Sequence, residues 1–407
     1  MSLSHIDPTQ TTIPNAVDIP WGVKFNKEKL SVRVDVERWT FLFTPVRVAL
    51  ILFTIFAFAV MGYRFLMGLE AVSNLTDRWP WGLWKAMAVF SGVALAGGGY
   101  GTAFLVHVLH IKRLEPVARA TMLASLLGYL LVLGGLILEI GRWFNFWVPF
   151  YSWGHASPLF EIFLCISAYT TVQVLEMCEV ITEKVGRQFN KYFLMVMPFL
   201  IICGVALPSM HQSSLGALYI LAAGKLHPLW WSPLMWLYFL MTSLFVGPAM
   251  LAVTSVITDK MLGHKIPIDP MRFLARIGGA LMVVYLVVKF VDLANRDAIG
   301  YLFTGEFESF FFMAELLIGV IIPICIVFSP LANYREWLIA YGFLASFGVF
   351  FNRANVVITG MWRDTGVVYY PSFFEVVIAS GLVTGALLAF LFLCENFNIL
   401  GKKEEAV

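Results

Sequence analysis

Long apolar runs, each about the length of a membrane crossing, follow one another along this chain with short polar connections between them. Stretches free of Asp, Glu, Lys, Arg and His cover 48–63, 86–106, 120–138, 192–210, 229–258, 316–334, 337–352 and 376–394, and weaker, charge-interrupted runs lie near 158–181 and 273–294. About 20 helical residues cross the ~30 Å hydrocarbon core at 1.5 Å per residue. The pattern therefore predicts helices near 46–68, 82–109, 117–140, 158–181, 192–212, 233–257, 272–294, 308–329, 335–358 and 371–395. The fold class is all-α integral membrane with about ten transmembrane helices. An N-terminal segment (1–45) precedes the helical domain (46–396), and a short tail (397–407) follows it. The N-terminus does not read as a cleavable signal, because a long mixed segment precedes a first apolar run that is itself able to span. Residues 30–37 alternate apolar and polar with period two, as a short half-buried strand or an extended interfacial segment would.

Composition sharpens this picture. Hydrophobic residues are 59% of the 407 positions and charged residues 13%, far from the balance of a soluble domain. A net charge of +2 supplies no basic patch, so nucleic acid is not an expected partner and the lipid membrane is. Lys and Arg fall mainly on one side of the inferred topology: the N-terminal segment, the connections near 112–119, 184–191, 260–276 and 335, and the tail. The opposite side holds Arg78, Lys85, Arg142, Lys225, Arg296 and Arg363. By the positive-inside rule both termini are cytoplasmic, and the expected location is a bacterial inner membrane. Ten of the 13 tryptophans sit on the outer side, among them Trp79, Trp84, Trp143, Trp147, Trp153 and Trp230. A belt would decorate both interfaces. The asymmetry points to a docking surface for an extrinsic subunit as well.

Candidate chemistry lies in the few ionisable residues within the spans, which are costly unless paired or functional. Arg64, Glu139, Arg142, Glu161, His211, Lys289, Asp292, Glu315, Arg353 and Glu375 are expected in or near the outer third. Glu139 with Arg142, Lys289 with Asp292, and Asp292 with Arg296 have spacings that allow pairing along one helix face. Glu161 and Glu315 have no cation within four residues, so each needs a partner elsewhere, a proton or water. The segment Pro208-Ser-Met-His-Gln-Ser-Ser214 puts a proline before His211, Gln212 and Ser213, as a broken helix lining a binding site would. The five cysteines are dispersed in apolar runs with no Cys-x-x-Cys pair, so no iron–sulfur cluster or covalently attached haem is expected in this chain.

Several segments together resemble the membrane subunits of the NrfD or polysulfide-reductase family, in its ten-helix branch. They are Pro80-Trp-Gly-Leu-Trp84, Leu123-Ala-Ser-Leu-Leu-Gly-Tyr129, Gly141-Arg-Trp143, Leu159-Phe-Glu161, Pro208-Ser-Met-His-Gln-Ser-Ser-Leu-Gly216, His227-Pro-Leu-Trp230 and Tyr370-Pro-Ser-Phe-Phe-Glu375. The resemblance implies two four-helix bundles, helices two to five and six to nine, flanked by helices one and ten. It also implies a quinone, menaquinone for example, bound near the outer face without haem or iron–sulfur cluster in this chain. The implied partners are a ferredoxin-like iron–sulfur subunit docked on the periplasmic face and further extrinsic catalytic or cytochrome subunits. By the same analogy Tyr129, Glu161 and His211 serve the quinone and its protons, with Glu139, Arg142, Gln212, Ser213, Asp292, Glu315, Arg353 and Glu375 in the vicinity. Such a chain is the membrane part of a quinone oxidoreductase. The residues alone leave open a secondary transporter, or a proton-translocating subunit without quinone chemistry of its own. A b-type cytochrome needs histidines at facing mid-membrane positions.

Overall fold

The computed structural model describes residues 16–19, 22–26, 30–36, 39–77, 79, 82–366 and 369–400. The first two residues of the Pro80-Trp-Gly motif, Arg78, and the tail from 401 lie outside them. Among the described residues ten helices are long and apolar enough to cross a membrane: α1 Pro45–Met67, α2 Val89–Val106, α3 Lys112–Glu139, α4 Pro158–Thr182, α5 Arg187–Ile220, α6 Met235–Leu262, α7 Ile268–Asn295, α8 Phe307–Val327, α9 Arg335–Asp364 and α10 Phe373–Asn396. The chain is a multi-pass membrane protein. Helix α2 meets α3 and α5, α3 meets α4, and α4 meets α5, which closes one four-helix ring. Helices α6–α9 close a second ring in the same way, and the two rings meet chiefly through α2 and α5 against α6. Helices α1 and α10 pair outside them, with α10 against α3. The start of α1 and the end of α10 thus lie at one end of the molecule, here called the terminal end. The tryptophan-rich connections lie at the other.

Local chemistry sets these boundaries. Thr44 accepts the N–H of Arg47 and Pro45 occupies the first turn of α1, where its missing N–H costs nothing. Ser372 caps α10 in the same way through the N–H of Glu375. Where α8 crosses α9, a Cβ added to Gly348 would lie 2.1 Å from Cα of Gly319, so only two glycines let the backbones touch.

Helix α5 differs from the sequence expectation. It continues eight residues past 212, through Pro198 and Pro208, to Ile220. No break follows Pro208. The hydroxyls of Ser209, Ser213 and Ser214 donate to the carbonyls of Val205, Ser209 and Met210, four residues back, and so sit within the helix instead of ending it.

The N-terminal segment is more ordered than its single alternating stretch suggests. Residues 31–36 do form a strand, as the middle of a larger structure. Strands β1 Ala16–Ile19, β2 Val23–Asn26, β3 Ser31–Val36 and β4 Trp39–Phe43 make an antiparallel meander. Its last strand leads directly into α1 at the terminal end.

Candidate functional site

Helices α3, α4 and α5 bring together the polar side chains of the first bundle. Tyr129 and Tyr169 meet edge to face with ring centroids 4.5 Å apart, and the His211 ring lies 6.3 Å from that of Tyr129. All three are buried, as is Gln212. The Tyr129 hydroxyl, both His211 ring nitrogens and both Gln212 amide atoms have no hydrogen-bond partner among the described residues. Unpaired polar atoms at such depth normally meet water or a ligand. Helix α4 carries the polar character on toward the terminal end. Gln173 donates to Ser125 at 2.6 Å, and one turn further Glu176 is buried with its carboxylate against Gly204 of α5.

His211 is deeper than its sequence position implies. With α5 ending at Ile220, nine residues separate it from that end, which is about 14 Å at helical rise. Ser213 faces away from this cluster and is spent on Ser209. Glu161 is in the first turn of α4 and is exposed, apart from the Tyr129–His211 pair. Arg142 lies beyond the end of α3 and is exposed, so the i,i+3 pair with Glu139 does not form; the helix stops at Glu139 before the spacing can act.

The second bundle builds a tighter network. The buried Glu315 carboxylate accepts from Asn352 Nδ2 at 2.6 Å, Asn355 Nδ2 at 2.8 Å and Trp230 Nε1 at 3.0 Å. Its partners are therefore three neutral donors from other elements. Arg353 is buried too. It donates to Asn352 Oδ1 at 2.7 Å and Thr242 Oγ1 at 2.5 Å, with its guanidinium over the Phe239 ring. Lys289 does not pair with Asp292 but lies over the Tyr238 ring, 4.3 Å from its centroid. Asp292 pairs with Arg296 at 2.9 Å, as the i,i+4 spacing allows.

At the tryptophan-rich end, Arg64 and Glu375 are held by hydrogen bonds within the chain. Arg64 is fully buried and donates to the carbonyls of Leu138 and Ile140, which the end of α3 leaves without helical partners. Glu375 accepts the N–H of Asn74 at 2.7 Å and the phenol of Tyr369, while the Trp84 indole donates to its carbonyl. Burial, with the Glu375 carboxylate adding to it, raises the Tyr369 pKa, so the phenol stays a donor. Trp79, Trp84 and Trp230 are buried. The exposed aromatics of this end concentrate in the α3–α4 connection, with Trp143, Trp147, Phe150, Tyr151 and Trp153.

Two apolar cavities lie in the membrane-spanning region. One, of about 550 Å³, is bounded by α2, α3, α4 and α5 toward the tryptophan-rich end. Its walls include Leu133 and Leu136 of α3 and Leu215 and Leu218 of α5. These positions are four and seven residues after Tyr129 and His211, so both polar side chains lie on the same helix faces; neither lines the cavity, whose wall on α4 continues past Tyr169 to Leu175. Ser167, Thr170 and Thr171 also line it, but their hydroxyls donate to their own helix. The other cavity, about 490 Å³, lies where α2, α3, α6, α9 and α10 converge, lined by Gly128, Leu131, Phe347 and Leu382 among others.

Residues 71–363 match the family model for polysulphide reductase, NrfD. The chain belongs to this family. It is 32% identical over 351 residues to the probable Ni/Fe-hydrogenase 2 b-type cytochrome subunit of Escherichia coli K12, covering 83% of this chain and 88% of that protein. It is 26% identical over 322 residues to the integral membrane subunit of a menaquinone reductase from Nitratidesulfovibrio vulgaris Hildenborough, covering 72% and 75%. A putative membrane subunit of a dimethyl sulfoxide reductase from Halobacterium salinarum is 24% identical over 318 residues, covering 72% and 71%. The family supplies membrane subunits of multi-subunit respiratory oxidoreductases.

The name of the Escherichia coli relative raises the question of a haem, which is held by axial side chains such as histidine. Among the described histidines His211 alone is buried within a span; His110, His155, His227 and His264 lie in connections, and the side chain of His107 is outside the described residues. Those side chains do not provide a facing histidine pair to hold a haem.

Proposed function

We propose that this chain is the quinone-binding membrane subunit of a respiratory oxidoreductase in the bacterial inner membrane. In this reading the tryptophan-rich end faces the periplasm, as the Lys and Arg distribution favours. An iron–sulfur subunit, with further catalytic or cytochrome subunits, docks on the aromatic α3–α4 connection. Electrons pass from it to menaquinone, and each quinone takes two electrons and two protons to become the quinol.

The observation that supports this most is the α2–α5 cavity running beside the buried cluster of Tyr129, Tyr169 and His211 on the same helices. An apolar cavity with unpaired, buried polar side chains on the same helices suits an isoprenoid quinone, whose tail needs hydrocarbon and whose carbonyl oxygens need donors. His211 can donate from one ring nitrogen and accept at the other, and the Tyr129 phenol can donate. Ser125, Gln173 and Glu176 extend the polar character toward the terminal end and offer a route for protons from that side. The same column gives weight to a second reading, in which the chain moves protons without itself reducing quinone.

A photoactivatable azido-menaquinone bound to the assembled complex tests the assignment. Expected adducts fall on α3 and α5 between 133 and 140 and between 211 and 218. Adducts confined to the cavity beside α10, or adducts that excess menaquinone does not suppress, would exclude it.

A further inference from the structure

The register of the N-terminal sheet sorts its side chains by face. Directly opposed residues share a face, and Val32 pairs with Phe43, Val34 with Phe41, and Val36 with Trp39. One face of β3 and β4 is therefore wholly apolar. The other carries Arg33, Asp35 and Thr40 with a single apolar residue, Leu42, opposite Arg33, and Lys24 and Asn26 lie beside them on β2. Asp35 bonds both Arg33 and Thr40, which hold its carboxyl below the usual range even against partial burial.

The end of α10 fixes the depth of the apolar face. Trp39 and Phe41 pack on Phe392 with centroid separations of 6.0 and 5.4 Å, and Trp39 also meets Phe397 at 5.7 Å. Phe392 is four residues before Asn396, the last residue of α10, and so about 6 Å inside the end of that span. Rings that reach Phe392 lie where hydrocarbon gives way to headgroups. The strand edge is finished as well. Asn396 accepts from the Thr40 N–H at 2.8 Å and donates to the Thr40 carbonyl at 3.0 Å, standing in for a neighbouring strand.

The apolar face extends beyond what α10 covers. Val36 is 50% exposed, Phe41 38% and Phe43 36%, and three residues past Phe43 the exposed face of α1 begins with Val46 at 62% and continues through Leu52. That face of α1 can only meet lipid or a neighbouring span. The two surfaces are continuous, at one depth and of one chemistry.

We propose that the N-terminal sheet is a monotopic membrane element, with the apolar face of β3 and β4 seated in the leaflet at the terminal end and its polar face in water. Phospholipid acyl chains are the occupant. A paired sheet suits this position because its backbone groups are already bonded and bring little desolvation cost into the interface. Aromatic rings at the rim match the amphipathic boundary. The element fixes the entry of α1 from outside the helical bundle.

Photocrosslinking separates the alternatives. Benzoyl-phenylalanine is incorporated singly at Val36, Phe43 or Arg33 of the full chain, irradiated in native membranes, and the purified chain is analysed by mass spectrometry. Phospholipid adducts are expected at Val36 and Phe43, at several-fold higher yield than at Arg33. Crosslinks from Val36 and Phe43 to another protein chain would overturn the proposal, whether that chain is a second copy or a partner subunit. So would lipid yields that do not differ among the three positions, or no lipid adduct at either apolar site.

Discussion

The hydroxyls of Tyr100 and Ser243 meet at 2.9 Å across the boundary between the two helical rings. Thr242, the neighbour of Ser243, accepts from Arg353, so the Glu315 network of one ring ends beside a polar contact with the other. Ser243 also donates to the Leu240 carbonyl and keeps a partner if Tyr100 is removed. Tyr100→Phe should therefore cost about 1 kcal/mol, the worth of one buried hydrogen bond. A thermal scan of the purified protein in detergent checks this. A loss of more than about 3 kcal/mol would mean that the contact organises the interface instead of adding to it.

Glu315→Gln tests the second ring. Three donors converge on the carboxylate, and an amide can offer only one acceptor oxygen. Its NH₂ would face either Asn352 or the pair Trp230 and Asn355. Asn352 cannot turn without losing Arg353. One or two buried donors lose their partner, at about 1–3 kcal/mol each, so the melting temperature should fall and assembly yield should drop. An unchanged melting temperature would show that the network tolerates a neutral residue.

His211→Ala and Glu161→Gln should separate. His211 lies buried against Tyr129, whereas Glu161 is exposed in the first turn of α4. On the proposed function, loss of His211 lowers quinone-linked turnover by about a hundredfold, the lower range for a lost proton donor. Artificial acceptors served by the extrinsic subunits should be reduced at the normal rate. Glu161→Gln should stay within a few-fold of the parent. The reverse order would move the proton step to the surface of α4.

Asp292→Asn leaves Arg296 without its carboxylate partner, although its bond to the Pro228 carbonyl remains. Breaking a largely buried pair costs on the order of 3 kcal/mol. The expected symptom is poor accumulation of the complex with normal turnover per assembled molecule, measured by quantifying both in membranes.

Trp147→Ala combined with Trp153→Ala removes two exposed rings from the α3–α4 connection without touching a buried contact of the helices. If that connection carries the iron–sulfur partner, extrinsic subunits should dissociate in mild detergent while the ten-helix chain remains inserted. Co-purification of the double variant at full stoichiometry would leave the two residues as lipid-interface aromatics.

The ten spans are legible because hydrocarbon thickness imposes a length that apolar runs must meet. What composition does not reveal is the use each polar residue makes of its neighbours. The run after Pro208 reads as a helix end because serines usually compete with helical hydrogen bonds; here each hydroxyl returns to its own helix, and α5 goes on. Trp79, Trp84 and Trp230 count toward an outer surface by position, yet they are buried. An indole N–H can be satisfied inside, as Glu315 and the Glu375 carbonyl do for Trp230 and Trp84. Spacing matches Lys289 to Asp292, but the lysine turns to an aromatic ring on another helix. Of the candidate site residues, Tyr129, His211 and Gln212 are in the buried cluster of one ring and Glu315 and Arg353 in the network of the other. That division depends on which helices become neighbours, and no local pattern encodes it. The sheet shows itself only in β3, because the pairing that organises the other strands is not written in any one of them.

The bond between Thr40 and Asn396 has a consequence for how the molecule is made. It spans 356 positions, and α1, which follows Thr40 directly, packs mainly on α10. Helix α1 must therefore wait for α10 before it gains its main neighbour. Until α10 has been made, the strand edge and the α1 seam stay open, while both four-helix rings can already have closed. A chain cut short before α10 would lose the closure of that edge and seam even with every polar residue of the rings in place.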